Sequence, residues 1–202
     1  KNTALIHHPY KPPDGFASPV APVHKGSTVF FDNVAAMRSR TWLDRSAYTY
    51  GLHGTPTSFT LEERIATLEG GLQTLLVPSG LAAIALVDMA LLKSGDEVLL
   101  PANAYGPGKE LVRQELAGWG IKHRLYEPMN PRSLAQMITP ATQLIWLEAP
   151  GSVTMEFPDL AGLLRVAKDK GVITALDNTW GAGVAFNAFD IGGGLGVDIS
   201  AQ

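Results

Sequence analysis

Residues 143–177 read QLIWLEAPGSVTMEFPDLAGLLRVAKDKGVITALD, and this stretch decides the fold. Gln143 to Leu147 predicts a strand of buried character. Asp159 stands where a helix needs its N-cap, predicting a helix to about Lys170. Val172 to Leu176 predicts a second apolar strand. Neither strand alternates polar with apolar residues, so both faces must be covered, which is the condition of a parallel sheet. Upstream the pattern repeats. Leu81 to Leu92 reads as an apolar helix after the breaker Pro78-Ser79-Gly80, and Glu97 to Leu100 as a strand. Gly108 to Trp119 predicts a helix, Ile121 to Leu125 a strand and Ser133 to Ile138 a short helix. Further back, Thr60 with Glu63 reads as a capping box for a helix striped by Leu61, Ile65 and Leu68 and stopped by Gly70-Gly71. Gln73 to Val77 then reads as a short strand. The predicted class is α/β: a three-layer α/β/α sandwich with a mostly parallel sheet.

Residues 1 to about 28 carry Pro9, Pro12, Pro13, Pro19 and Pro22 without helical or strand period, predicting an extended N-terminal arm. The whole chain has 202 residues, 46% hydrophobic and 17% charged, which fits a globular chain with a proper core. Its net charge of −3 leaves no footprint for nucleic acid or an anionic membrane. With no Cys, disulfides, thiolate metal sites and a Cys nucleophile are excluded together. The longest apolar run, Leu81 to Leu92, is interrupted by Asp88 and falls short of the roughly 20 residues a membrane span needs. Lys1-Asn2-Thr3-Ala4 has no apolar signal core, so a soluble, cytoplasmic protein is expected.

In an open parallel sheet, ligands bind beyond the carboxyl ends of the strands. Ser79-Gly80-Leu81 opens a helix there, reading either as a phosphate cradle or as an ordinary cap and tight turn. Asp177 follows an apolar strand directly, so its carboxylate needs a partner: a cationic ligand nitrogen, an Arg, or a helix N-terminus. Tyr105, between Asn103 and Gly106, is a stacking platform for a planar ligand or a partly buried loop aromatic. Glu148 divides in the same way between ligand contact and structural hydrogen bonding. Other features carry less. Gly181-Ala182-Gly183 lacks the third glycine of a dinucleotide fingerprint, no Gly-x-Ser-x-Gly elbow occurs, and His7-His8 has no carboxylate at ligand spacing. Phosphate cradle, aromatic plate and strand-end carboxylate together describe a site for pyridoxal 5'-phosphate, whose ring nitrogen the carboxylate would keep protonated.

At these residues the sequence resembles the pyridoxal-phosphate-dependent enzymes of cysteine and methionine metabolism. The resemblance is carried by Tyr48-Thr49-Tyr50-Gly51, Gly54-Thr55-Pro56-Thr57, Leu68-Glu69-Gly70-Gly71, Pro78-Ser79-Gly80-Leu81-Ala82-Ala83, Asn103-Ala104-Tyr105-Gly106-Pro107 and Leu176-Asp177-Asn178-Thr179-Trp180. Within the family the chain is most similar to cystathionine β-lyases, because Ser152-Val153 stands where γ-synthases and γ-lyases usually carry Asn-Pro. The resemblance implies an aspartate-aminotransferase-like large domain over residues 57–202, preceded by an arm and inter-subunit segment over 1–56. It implies that the amides of Gly80 and Leu81, beside Ser79, bind the phosphate, that Tyr105 stacks on the ring, and that Asp177 pairs with the ring nitrogen. Tyr50 would reach the phosphate of a neighbouring subunit in a homodimer or homotetramer with shared active sites.

Two departures accompany it. Leu52, followed by His53, replaces an Arg that the family uses on the phosphate. The lysine that bonds the cofactor would come a few residues after Asp198-Ile199-Ser200-Ala201-Gln202, and none of the lysines present falls at that motif. The chain is therefore expected to be the N-terminal portion of a longer protein. The implied activity is a carbon–sulfur lyase acting on an amino-acid substrate: β-elimination of cystathionine to homocysteine, pyruvate and ammonia. The alternatives are a γ-synthase, γ-lyase or sulfhydrylase of the same family, or a non-catalytic binding protein without the lysine.

Overall fold

The computed structural model describes residues 14–15, 20–41, 47–191 and 193–202. The chain divides into two compact units, 1–76 and 77–202.

In the first unit, helix α1 spans Val34–Arg38, with the Asn33 side chain accepting from the Ala36 amide. Helix α2 spans Pro56–Glu69 and ends on Gly70, which takes the left-handed conformation at φ 80°. Its capping box is formed by Thr55 and Ser58, not by Thr60 and Glu63. Thr60 lies inside the helix and donates its hydroxyl to the Pro56 carbonyl at 2.7 Å. The reason is local: Pro56 has the helical φ built in, so the helix starts earlier, and Thr55 supplies the cap. Of the arm, Pro9, Pro12, Pro13 and Pro19 lie outside the described residues, and residues 20–33 carry neither helix nor strand. The arm is tied to the start of α2, since the His24 amide donates to Thr57 Oγ1 at 2.7 Å. Gly51 permits a close crossing: its amide donates to the Ser27 carbonyl, and a Cβ there would stand 2.0 Å from the Gly26 carbonyl oxygen.

The expected strand at 73–77 is not a strand. A strand exists only through a neighbour's ladder, and among the described residues none pairs with this segment. The Leu76 amide donates instead to Glu62 Oε1.

The second unit is built on five strands: β1 Glu97–Pro101, β2 Lys122–Tyr126, β3 Thr142–Glu148, β4 Ile173–Asp177 and β5 Ile199–Ala201. Their spatial order is β2-β1-β3-β4-β5, every pairing parallel. Before β1 runs α3 (Gly80–Leu91), and between the strands run α4 (Gly106–Leu111, continued as a π-helical turn over Val112–Leu116), α5 (Pro131–Met137) and α6 (Leu160–Asp169). Successive strand residues face opposite ways, and each face carries its own core. Leu99, Ile145, Leu147 and Leu176 pack with Leu134 of α5 and Leu163 and Leu164 of α6. Val98, Leu100, Leu144 and Trp146 pack with Ile84 of α3 and Leu116. That is the three-layer α/β/α arrangement expected from the apolar strands.

The start of β1 holds a half-buried ion pair, with Glu97 covered and Arg124 partly open to solvent. Arg124 grips the Glu97 carboxylate with Nε at 2.6 Å and Nη2 at 2.7 Å, and the Thr142 hydroxyl donates to it at 2.6 Å. These donors, the Arg124 hydrogen bonds foremost, hold the Glu97 carboxyl below the usual range despite its burial. After β1 the chain moves outward to β2 and then returns to the other side of β1 as β3. The winding direction reverses there, so a cleft opens beyond the carboxyl ends of β1 and β3.

Candidate active site

That cleft is present as an open hollow whose lining includes Ile84, Leu100, Tyr105, Trp146, Glu148 and Asp177. Strand pairing sets its geometry. Glu148 and Asp177 end β3 and β4 as register partners, and Asp177 is the register partner of Ala201 in β5. Gln202 follows, and its carbonyl carbon lies 3.6 Å from where a Cβ on Gly80 would stand. The N-terminus of α3 is thus brought to the same end of the sheet as Asp177.

At that terminus Ser79 is the N-cap, its Oγ accepting from the Ala82 amide at 3.1 Å and its carbonyl from the Ala83 amide. The amides of Gly80 and Leu81 have no acceptor within the helix, and the helix dipole adds partial positive charge to them. They suit an anion, and Gly80 has no side chain in the way. On the opposite side Asp177 accepts the Thr179 amide at Oδ1, 3.0 Å, leaving its other oxygen available beside the apolar walls of Leu100 and Leu147. A carboxylate so placed suits a cation.

Tyr105 is the N-cap residue of α4, makes no side-chain cap, and stands 41% exposed at the cleft rim. Its amide donates to Glu148 Oε2 at 2.8 Å. Glu148 therefore serves structurally as well as lining the cleft. Burial pushes its carboxyl up to about 7, the Tyr105 amide opposes this, and the neighbouring Asp177 charge adds to it. The arrangement joins an anion-binding helix end, a carboxylate for a cationic nitrogen and an aromatic ring, which fits pyridoxal phosphate by the chemistry of its donors and acceptors.

Tyr50 lies in the first unit, half exposed, with its ring edge-on to His53 at 5.8 Å. His53 Nδ1 is 3.1 Å from Thr49 Oγ1, and Leu52 is exposed. His7 and His8 lie outside the described residues. Among the described residues no His, Cys, Asp and Glu cluster could hold a metal, and no helix is long and apolar enough to cross a membrane.

Two features went unread in the sequence. Asp88 of α3 is fully buried and accepts the Trp146 indole N–H at 2.8 Å, and its second oxygen has no partner. Burial raises that carboxyl to about 6. The available signal was a lone acid inside the apolar run Leu81 to Leu92. The second is the seating of Asn103, whose Nδ2 donates to Glu156 Oε2 at 2.9 Å and to Thr154 Oγ1 at 3.2 Å. A Cβ on Gly151 would lie 2.2 Å from that Nδ2, so any side chain there would displace the Asn103 amide from this seat. Within the same loop Val153 and Met155 take left-handed φ values of 63° and 56°, a costly conformation for a β-branched valine.

The profile of the family described as Cys/Met metabolism PLP-dependent enzymes matches residues 2–202. A cystathionine β-lyase of Bordetella avium is 37% identical over 96% of this chain and 50% of its own length. An L-methionine γ-lyase of Pseudomonas putida is 33% identical over 88% of this chain and 45% of its own. A solved structure from Campylobacter jejuni, described as a candidate O-acetylhomoserine (thiol)-lyase and carrying pyridoxyl-lysine phosphate, superposes with a TM-score of 0.80 at 27% identity. The alignment covers 87% of this chain and 43% of that one. The chain spans about half the length of the curated relatives it matches.

Proposed function

The chain belongs to the Cys/Met metabolism PLP-dependent enzyme family, and on that premise we propose that it forms the cofactor-binding part of a carbon–sulfur lyase cleaving cystathionine by β-elimination. The observation that carries this reading is Asp177, at the carboxyl end of β4, lining the same cleft as Tyr105. When bound, pyridoxal phosphate supplies an electron sink for charge developing on the α-carbon of an amino-acid substrate. Asp177 holds the proton on the ring nitrogen, and that positive charge is what makes the sink effective. The amides of Gly80 and Leu81, with Ser79 fixing the helix end, hold the phosphate. Tyr105 presents its ring to the cofactor and is the catalytic residue of this chain's share of the site. Tyr50 reaches a neighbouring subunit's cofactor phosphate in a homodimer or homotetramer. Residues 1–56 act as arm and inter-subunit segment and residues 57–202 as the cofactor-binding domain.

Support for β-elimination comes from the cystathionine β-lyase relatives and from Ser152-Val153. The methionine γ-lyase relative supports γ-elimination as a second reading. The full-length holoenzyme supplied with cystathionine separates the two: pyruvate with homocysteine supports the first, whereas 2-oxobutyrate with cysteine supports the second. Asp177→Ala should abolish turnover and the cofactor's absorbance near the visible edge. An unchanged spectrum with full activity would remove Asp177 from its role.

A further inference from the structure

Tyr105 is poorly fixed by its own surroundings. It caps α4 without a side-chain hydrogen bond, its ring is half exposed, and at the adjacent Gly106 an added Cβ would meet nothing within 4 Å. Its amide, however, is held by a carboxylate 43 residues further along the chain, Oε2 of Glu148 at 2.8 Å. Glu148 is itself buried at the end of β3, and its backbone registers with Asp177 on the adjacent parallel strand. One residue therefore stands between the two sides of the cleft, its side chain holding the Tyr105 amide and its backbone in register with Asp177. We infer that Glu148 is a positioning residue for the cofactor, setting where the Tyr105 ring stands over the cleft and tying that placement to the charge on the Glu148–Asp177 pair. The inference rests on the reading of Tyr105 and Asp177 given above.

The groups facing Glu148 set its titration. Burial raises its pKa to about 7; the Asp177 charge of β4 adds to the rise, while the Tyr105 and Ser152 amides and the Lys109 ammonium of α4 oppose it. The buried Tyr126 phenol of β2 feels the Glu148 charge in turn. A cationic ring in the cleft favours the ionised pair, so Glu148 should lose its proton as the cofactor binds. Affinity should then rise with pH through neutrality. The ionised form also makes the stronger acceptor for the Tyr105 amide.

The test uses the full-length apoprotein and pyridoxamine 5'-phosphate, which binds without bonding to a lysine, followed by fluorescence between about pH 6 and 8.5, a range that brackets the raised carboxyl. Glu148→Ala should weaken binding about tenfold in the wild-type background. In a Tyr105→Ala background, with both comparisons made near pH 6 where Glu148 largely keeps its proton, it should weaken binding by less than about twofold, because the part of the effect that does not need its charge travels through the ring. Glu148→Gln keeps an acceptor for the amide, so it should hold affinity within about threefold while losing the wild-type step near neutral pH. Equal losses in both backgrounds, or a Glu148→Gln profile with the wild-type step, overturn the inference. Should Glu148→Ala fail to fold, the Glu148→Gln profile decides alone. If Asp177→Ala abolishes binding while both Glu148 variants bind as wild type, only this inference falls. A wild-type protein that binds no cofactor at any pH overturns the functional reading and this inference with it.

Discussion

Asp88 shows what one carboxyl can do to a stability profile. It is fully buried in α3 with the Trp146 indole as its hydrogen-bond partner, and burial raises it from an ordinary 3.8 to about 6. A carboxyl that binds its proton more tightly in the folded state stabilises at low pH, and that stability is lost as pH rises through the folded value. Asp88→Asn keeps an acceptor for the indole and removes the titration. It should match wild type near pH 4 and exceed it by roughly 3 kcal/mol above about pH 7, as read from urea midpoints across that range. An advantage that does not grow with pH would show that Asp88 is not titrating. The strand-end position of Asp177 could be read from the sequence because the apolar strand stands directly before it. Asp88 could not, because its partner stands 58 residues away on β3. Glu148 fell between the two: its position was flagged, but its bond to Tyr105 spans 43 residues.

Among the elements, the start of α2 was misread from spacing, while the Asp159 and Ser79 caps stand where the sequence put them. The spacing of Thr60 and Glu63 obeys the capping-box rule, yet Thr55 and Ser58 obey it one turn earlier with Pro56 between them. Proline's fixed φ decides which box forms. Thr55→Ala should therefore cost about 1 kcal/mol, whereas Thr60→Ala, inside the helix, should change stability by only a few tenths. Chemical unfolding of the two variants side by side checks this, and the reverse order would contradict the observed cap. Ser79→Ala removes the cap of α3 at the proposed phosphate end, so it should cost stability by about the same amount and weaken cofactor binding as well. Residues 73–77 make the complementary point. Their composition suits a strand, but strand identity belongs to a pair of segments, and composition names only one of them.

For the molecule as a whole, the sheet of the second unit separates two cores that alternate along each strand, so neighbouring residues answer to different helices. Leu147 faces the α5 and α6 core and Trp146 the α3 and α4 core. Leu147→Ala should cost roughly 2–5 kcal/mol, visible as a lower denaturant midpoint at unchanged slope. The pH profile is also a whole-molecule property. Asp88 and Glu148, both raised, remove stability as pH rises from about 4 to about 7. Glu97, lowered by Arg124, contributes stability that is lost as pH falls toward its folded value. For these three groups the opposing slopes meet near pH 4, to order of magnitude, and Asp88→Asn combined with Glu148→Gln should flatten the loss of stability on the alkaline side. Thermal melts from pH 4 to 8 would show it. A maximum at or above pH 7 would contradict both assignments.

The order of apolar strands and capped helices in the sequence determined a parallel, two-sided sheet, because a strand with no polar face has to be covered twice. The carboxyl end of each strand then became the place to look for a site, since strand ends are where backbone and side chains meet open space. Only the folded chain decided which of those ends meet. Putting Glu148 beside Asp177, bonding Tyr105 to Glu148 and setting the α3 terminus against Gln202 depend on strand register and on hydrogen bonds across tens of residues. Those contacts form between segments whose spacing along the chain carries no trace of their distance in space.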